Sequence, residues 1–383
     1  MTSVPFFTHT GWSELHPISK SHSDGKLLVG AFELGELWAR SIHAYVLENK
    51  QLERAKVHAA LQNGSLNDRW VPTAESAAQI ASLKPGQNLI WNGLPLFRWN
   101  NESEDPLDAP IHGVSYLQSP MDLFLKSNDW ILNQSSMIAE AWDLEKITQS
   151  SLKNHATIIG DPASIYVHPT SKFIACTLNA TDGPIFIGPQ VEIQEGSHLR
   201  GPLVIGQQTV VKMSTRIYGP SVIGPNCRIG GEISNCTFLG YSNKGHDGFL
   251  GQSVIGHWCN LGAATNSSNL KSNYGPVRVW NESKQELVDS GLQFCGLLMG
   301  DHSKCGINTM FNTGTVVGIG CNIFGGGFQP KHIPDFAWGG GDNWQVHAFD
   351  RFIETAQRVM SRRGKTLESA EIEQLREQHS LTL

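Results

Sequence analysis

His246 stands inside Asn-Lys-Gly-His-Asp-Gly (243–248), between Lys244, Gly245 and Asp247, a setting that packing alone would not select. An imidazole, with an ordinary pKa of about 6.5, can take the proton of an amine or hydroxyl acceptor as that acceptor attacks an acyl carbon near neutral pH. Taken alone, a histidine in a glycine-rich turn is more often structural. A zinc reading would need three ligands, two of them close in sequence. His257 follows His246 by eleven positions and His198 precedes it by 48, so no metal site is expected. Two further charged groups carry possible chemistry. Arg358, Arg362, Arg363 and Lys365 could meet the phosphates of a coenzyme, although a solvated charged face is the plainer reading. Glu102, Glu104, Asp105 and Asp108 form the densest acidic group of the N-terminal region and read as a solvated loop.

The element that must position His246 shows itself as a repeat. Aliphatic residues recur every sixth position at Ile187, Ile193, Leu199, Ile205, Val211, Ile217, Ile223 and Ile229. Four residues after most of them stands a small or β-branched side chain: Val191, Ser197, Thr209, Thr215, Ser221, Cys227. Glycine follows the aliphatic residue at 188, 206 and 224, a spacing of 18. Six residues in threes describe a triangular coil, with the aliphatic residue inward on each short strand and small residues at the corners. The register returns at Ile255 and Leu261, and again at Met299, Cys305, Phe311, Val317 and Ile323. Eight unbroken matches and five more in a second block exceed what chance gives a Gly-rich β protein. The pattern predicts a left-handed parallel β-helix of hexapeptide repeats over 151–345.

The register breaks twice, and loops that interrupt a solenoid are where function concentrates. The first break lies between Leu239 and Ile255 and holds His246. The second, 266–294, reads as an arm reaching away from the coil. Beyond the coil, 346–383 reads as a helical tail: Phe349, Phe352, Ile353 and Ala356 share one face, and Arg362–Lys365 marks a break between helices.

Residues 1–150 lack the repeat and all seven cysteines, and hold seven of the 11 tryptophans. Helices are predicted over Leu37–Val57 and Ala74–Leu83, with short strands at Asn88–Trp91 and Pro95–Trp99 around Asn92-Gly93. No glycine-rich phosphate loop is present in this α/β region. The whole chain has 383 residues, 40% hydrophobic and 17% charged, which suits globular domains. A net charge of −6 argues against nucleic acid as a partner. The absence of a long apolar run and of a basic, apolar leader argues against membrane association and secretion. Seven cysteines without a C-x-x-C pair fit buried thiols in the cytoplasm.

The segment Glu232–Thr265 resembles the acetyltransferase half of the bacterial bifunctional glucosamine-1-phosphate acetyltransferase and N-acetylglucosamine-1-phosphate uridyltransferase family. The matching run is Asn243-Lys244-Gly245-His246, Phe249-Leu250-Gly251, Ile255-Gly256 and Asn260-Leu261-Gly262-Ala263. The likeness covers about 150–345. It extends to sugar-nucleotidyltransferase-like proteins with a shortened N-terminal half, through Leu27–Arg40 and Asn88–Leu96. The resemblance implies an acetyl-CoA-dependent acyltransferase acting on a sugar phosphate or nucleotide sugar, cytoplasmic, with its site between subunits of a homotrimer. By position it implies His246 as general base, Arg216, Asn260 and Asn269 as acceptor contacts, and Ala263 as a coenzyme contact. Phe249 and Leu270 stand where the family carries tyrosines. Residues 1–150 are then a nucleotidyltransferase-like remnant that would need Mg2+ only if active; the uridyltransferase signature L-x-x-G-x-G-T-R-M is absent from them. The rival readings are a sugar-1-phosphate nucleotidyltransferase, a zinc carbonic anhydrase on the same coil, and a non-catalytic scaffold.

Overall fold

A computed structural model describes residues 5–7, 15–18, 27–48, 51–73, 75–100, 106–109, 114–148, 152, 155–341 and 343–382. Glu102, Glu104 and Asp105 of the acidic group lie outside the described residues, while Asp108 is exposed at a strand end. The chain divides into two compact units, one of residues 1–15 and 22–119, the other of residues 16–21 and 120–383.

The first unit is α/β. Helices α1 (Leu34–Glu48), α2 (Gln51–Asn63) and α3 (Ser76–Ser82) accompany a mixed five-stranded sheet. Two helices occupy the stretch where one was expected over Leu37–Val57. The predicted strand pair forms as an antiparallel hairpin, Leu89–Trp91 with Leu94–Trp99. Asn92 and Gly93 turn it with φ of 48° and 77°, the double left-handed conformation that an Asn-Gly dipeptide favours. Trp38 and Trp70 meet edge to face at 4.6 Å in its core, and the Trp38 indole N–H donates to the Trp70 carbonyl at 2.7 Å.

The second unit opens with three short helices, α4 (Asp122–Leu125), α5 (Ser127–Asn133) and α6 (Ser135–Ala141), and continues as the predicted left-handed coil. Three sheets of ten, six and ten strands form its faces, and successive coils pair in parallel. On the first face Ile187, Ile205 and Ile223 are direct partners, 18 residues apart. All eight residues of the first repeat block and all five of the second are buried in one core. Burying such a side chain contributes about 1.5–3 kcal/mol. The small residue four places on has a separate task. Thr209 Oγ1 donates to the Gly224 carbonyl and accepts from the Cys227 amide, both at 3.0 Å; Ser242 and Ser303 bridge later coils in the same way. A buried hydroxyl thus pairs corner backbone groups that would otherwise be left unsatisfied.

The coil shortens earlier than the repeat suggests. Ile223 pairs with Phe238 after 15 residues, Phe238 with Ile255 after 17, and Ile255 with Met299 after 44. The 44-residue interval contains the arm. Its two strands, Arg278–Asn281 and Glu286–Asp289, form an antiparallel hairpin, while Asn266–Ser267 still pair with the coil at Met310–Phe311. The chain leaves and re-enters side by side, with the Cys295 amide donating to the Asn269 carbonyl at 2.9 Å.

Helices α7 (Phe349–Ser361) and α8 (Ser369–Ser380) form where a helical tail with a break was expected. Phe352, Ala356 and Met360 of α7 are buried in one cluster with Trp258, Ile319 and Phe336, residues from three different coils. The pair therefore runs along one corner of the coil. A reciprocal capping box between Glu368 and Glu371 starts α8.

Candidate functional site

His246 lies at the corner that joins the third face to the second, exposed, in a turn two residues past the third-face strand Asn243–Lys244. The turn is shaped from within. Lys244 occupies an inward slot, directly above Ile229, and is fully buried. Its ammonium donates to the Asp247 carbonyl at 3.1 Å, the Gly230 carbonyl at 3.4 Å and the His246 carbonyl. Three donors meet three acceptors, which is what a buried lysine requires. Burial pushes its pKa down to about 8, against an opposing pull from Asp247. An aliphatic-repeat search cannot register a lysine in a core slot; the polar residue itself, at a position whose coil neighbours are apolar, is the signal that was available.

The outer side of the same strand forms the floor of a slot of about 680 Å³. Arg228, Asn243, Asn260 and Lys304 face outward from consecutive coils, paired in that order. Asn243 Nδ2 donates to Asn260 Oδ1 at 3.3 Å. His246 and Ala263 form one edge, with small residues Gly245 and Gly262 between them. Glycine is required here: a Cβ on Gly262 would run into the Gly306 backbone, and one on Gly230 would lie 2.6 Å from the Gly245 carbonyl carbon. Tyr241 and Trp258 form the other edge, stacked at 4.2 Å. Both sit in the left-handed region, φ 55° and 61°, at the corner column that Gln190, Gln208 and Asn226 occupy lower down. Val359, Arg362 and Arg363 roof the slot from the end of α7.

The structure therefore brings His246, Asn260 and Ala263 together and places Arg216 and Asn269 elsewhere. Arg216 lies on the second face, exposed, 3.4 Å from Glu232. Its column there runs through Glu232 to Phe249. Asn269 sits at the root of the arm and donates to the Gln252 side chain. Sequence reading gave Arg362 and Arg363 to a solvated face; the structure turns both onto the slot.

Repeat, coil and faces define a hexapeptide-repeat left-handed β-helix, and the chain resembles acyltransferases of that kind. No protein-family model matches the chain. It is 40% identical over 78 residues to the bifunctional protein GlmU of Methanocaldococcus jannaschii, a match covering 20% of this chain and 18% of that protein. Against the bifunctional protein GlmU of Methanococcus aeolicus it is 35% identical over 95 residues, 24% of this chain and 22% of the relative. The chain thus spans about a fifth of the length of the curated relatives it matches. Among solved structures it is similar to the polySia specific acetyltransferase NeuO, with a TM-score of 0.28 and 15% identity, covering 55% of this chain and 94% of that one. Among the described residues, no helix is long and apolar enough to cross a membrane.

Proposed function

We propose that the chain is an acyl-CoA-dependent acyltransferase, with acetyl-CoA as donor and a sugar phosphate or nucleotide sugar as acceptor. The observation that carries this reading is the convergence of His246, Asn260 and Ala263 on one slot at a coil corner. His246 accepts the proton of the acceptor amine or hydroxyl as its nitrogen or oxygen attacks the thioester carbonyl. Backbone N–H groups of the corner stabilise the tetrahedral oxyanion. Collapse breaks the carbon–sulfur bond, and the proton held by His246 passes to the departing thiolate. The products are the acylated acceptor and free CoA.

Asn260 would orient the acceptor, and Ala263 leaves room for the donor beside the corner. Arg216 and Asn269, on the adjoining face and at the arm root, lie outside this slot, and would act as acceptor contacts toward a neighbouring subunit's slot in a cytoplasmic homotrimer. A light-scattering mass of three times 42.0 kDa checks the assembly. Residues 1–150 are read as a nucleotidyltransferase-like remnant, which would use Mg2+ only if active.

The test is CoA release from acetyl-CoA with a panel of amino-sugar phosphates and nucleotide sugars, wild type against His246→Ala. Acceptor-dependent release that drops at least a hundredfold in the variant is expected. Release that survives the substitution unchanged would remove His246 from the chemistry; no release with any acceptor would sink the transferase reading.

A further inference from the structure

We infer that the slot beneath α7 is a diphosphate-binding site, in which the α7 terminus and the coil floor grip the phosphoanhydride of one substrate. The inference rests on reading the same slot as the transferase site. Cations come from two independent elements: Lys212, Arg228 and Lys304 from the coil, Arg362 and Arg363 from the end of α7. Among the described residues no carboxylate lines the slot. Glu192, the acidic group that acts on Arg228, belongs to a strand two coils away and accepts from Gln194 at 2.6 Å.

Arg363 is the telling residue. An arginine just past a helix C-terminus is ordinarily a solvated complement to the helix dipole. Here Arg363 is half-buried and turns back to the floor, donating to Asn243 Oδ1 at 3.4 Å. That position sets it beside Arg228, and burial together with the like charge of Arg363 lowers the Arg228 pKa. Two guanidinium groups held together in a half-buried slot repel unless an anion lies between them. Arg228 Nη1 already donates to the carbonyls of Gln208 at 3.0 Å and Cys227 at 2.9 Å, which fixes the guanidinium at the slot. Paired guanidinium forks suit phosphoryl oxygens.

At the far end Lys304 donates to the His302 carbonyl at 2.8 Å and is half-buried. Three strand spacings separate it from Arg228, about 14 Å at the usual inter-strand distance. The slot is thus long enough to hold a diphosphate, and its Arg228 end lies one strand from Asn243–Lys244, the strand that leads into the His246 turn. The diphosphate of coenzyme A and that of a nucleotide sugar share this chemistry.

Calorimetric titration of the full chain with inorganic pyrophosphate tests the site directly. Wild type is expected to bind, more weakly as salt rises, and Arg228→Gln and Arg363→Gln are each expected to weaken binding at least tenfold. Arg358→Gln serves as control, since Arg358 is exposed and engaged with Glu354; its binding should match wild type. Thermal unfolding verifies that each variant is folded. Titrations of CoA against pantetheine and of uridine diphosphate against uridine name the source, because the phosphorylated member of one pair alone should lose affinity in Arg363→Gln. Absence of binding by any phosphorylated probe, or equal binding in all variants, would overturn the site. Diphosphate binding without acyl transfer would leave the site standing and remove the transferase; transfer untouched by both glutamine variants would do the reverse.

Discussion

Lys244 is the residue whose environment departs furthest from its chemistry. Its ammonium sits in the interior column between Ile229 and Leu261 and is committed to three carbonyls, two of them in the His246 turn. Lys244→Met preserves the apolar stem and removes every donor. Relief of the buried charge and loss of three hydrogen bonds oppose each other, so global stability is expected to change by no more than about 2 kcal/mol. The turn, however, loses its internal anchor, and kcat for acyl transfer is expected to fall at least tenfold. An unchanged kcat would show that the turn holds itself. The proton balance supplies a second readout. The folded chain gives up the Lys244 proton near pH 8, while the unfolded chain keeps it to its ordinary value of 10.5. Between these values unfolding takes up a proton, so wild type should gain stability over Lys244→Met as pH rises, by up to about 1.4 kcal/mol per pH unit.

At the scale of elements, the regular coils are readable because the inward slots from 187 to 229 are all aliphatic and most of the slots four residues on carry a small or β-branched side chain. The same rule explains what was missed. After Ile229 the next inward residue, Ile233, comes four positions later, then Cys236 and Phe238 follow, and the slot at 244 holds a lysine. A search keyed to apolar residues at sixes loses the register there, although the coil continues through it. Arg216 and Asn269 are acceptor contacts by resemblance alone, and their places on the second face and at the arm root come from the strand register. For Arg363 the sequence leaves a solvated face and a coenzyme contact both open, because helical periodicity describes a helix and not what its last turn meets. The tight stacking of glycines beneath the His246 turn gives an element-level prediction. A methyl group on Gly230 would lie 2.6 Å from the Gly245 carbonyl carbon and 2.9 Å from the His246 amide. Backbone must yield, so Gly230→Ala is expected to cost about 1–3 kcal/mol in urea melts and to lower transfer more than Lys212→Ala does. Equal stability to wild type would mean that the coils separate more easily than their packing implies.

For the whole molecule, the seven cysteines set the response to base. All are buried. Burial pushes Cys176 up to about 11 and Cys227, Cys236, Cys295 and Cys321 up to about 12, and raises Cys259 and Cys305 as well. Above the ordinary thiol value of 9.0 the unfolded chain releases protons that the folded coil retains. Stability must therefore fall as pH rises past 9, each of the seven thiols contributing up to about 1.4 kcal/mol per pH unit, against three opposing lysines, Lys244, Lys304 and Lys331, whose values burial lowers. Urea midpoints measured under reductant from pH 8 to 10.5 are expected to drop steeply above 9. A flat profile would mean that thiolates form inside the coil.

The register across the arm has one more consequence. Asn260 and Lys304 are neighbours in space and floor the same slot, yet the chain between them runs out along a hairpin and back. The distance between these two side chains is set by strand pairing and owes nothing to how far the chain travels in between. The hairpin tip at Ser283–Lys284 is accordingly a permissive port: a reporter peptide or a small domain spliced there would leave the spacing of the slot unaltered, whereas a single residue added inside a coil would displace it.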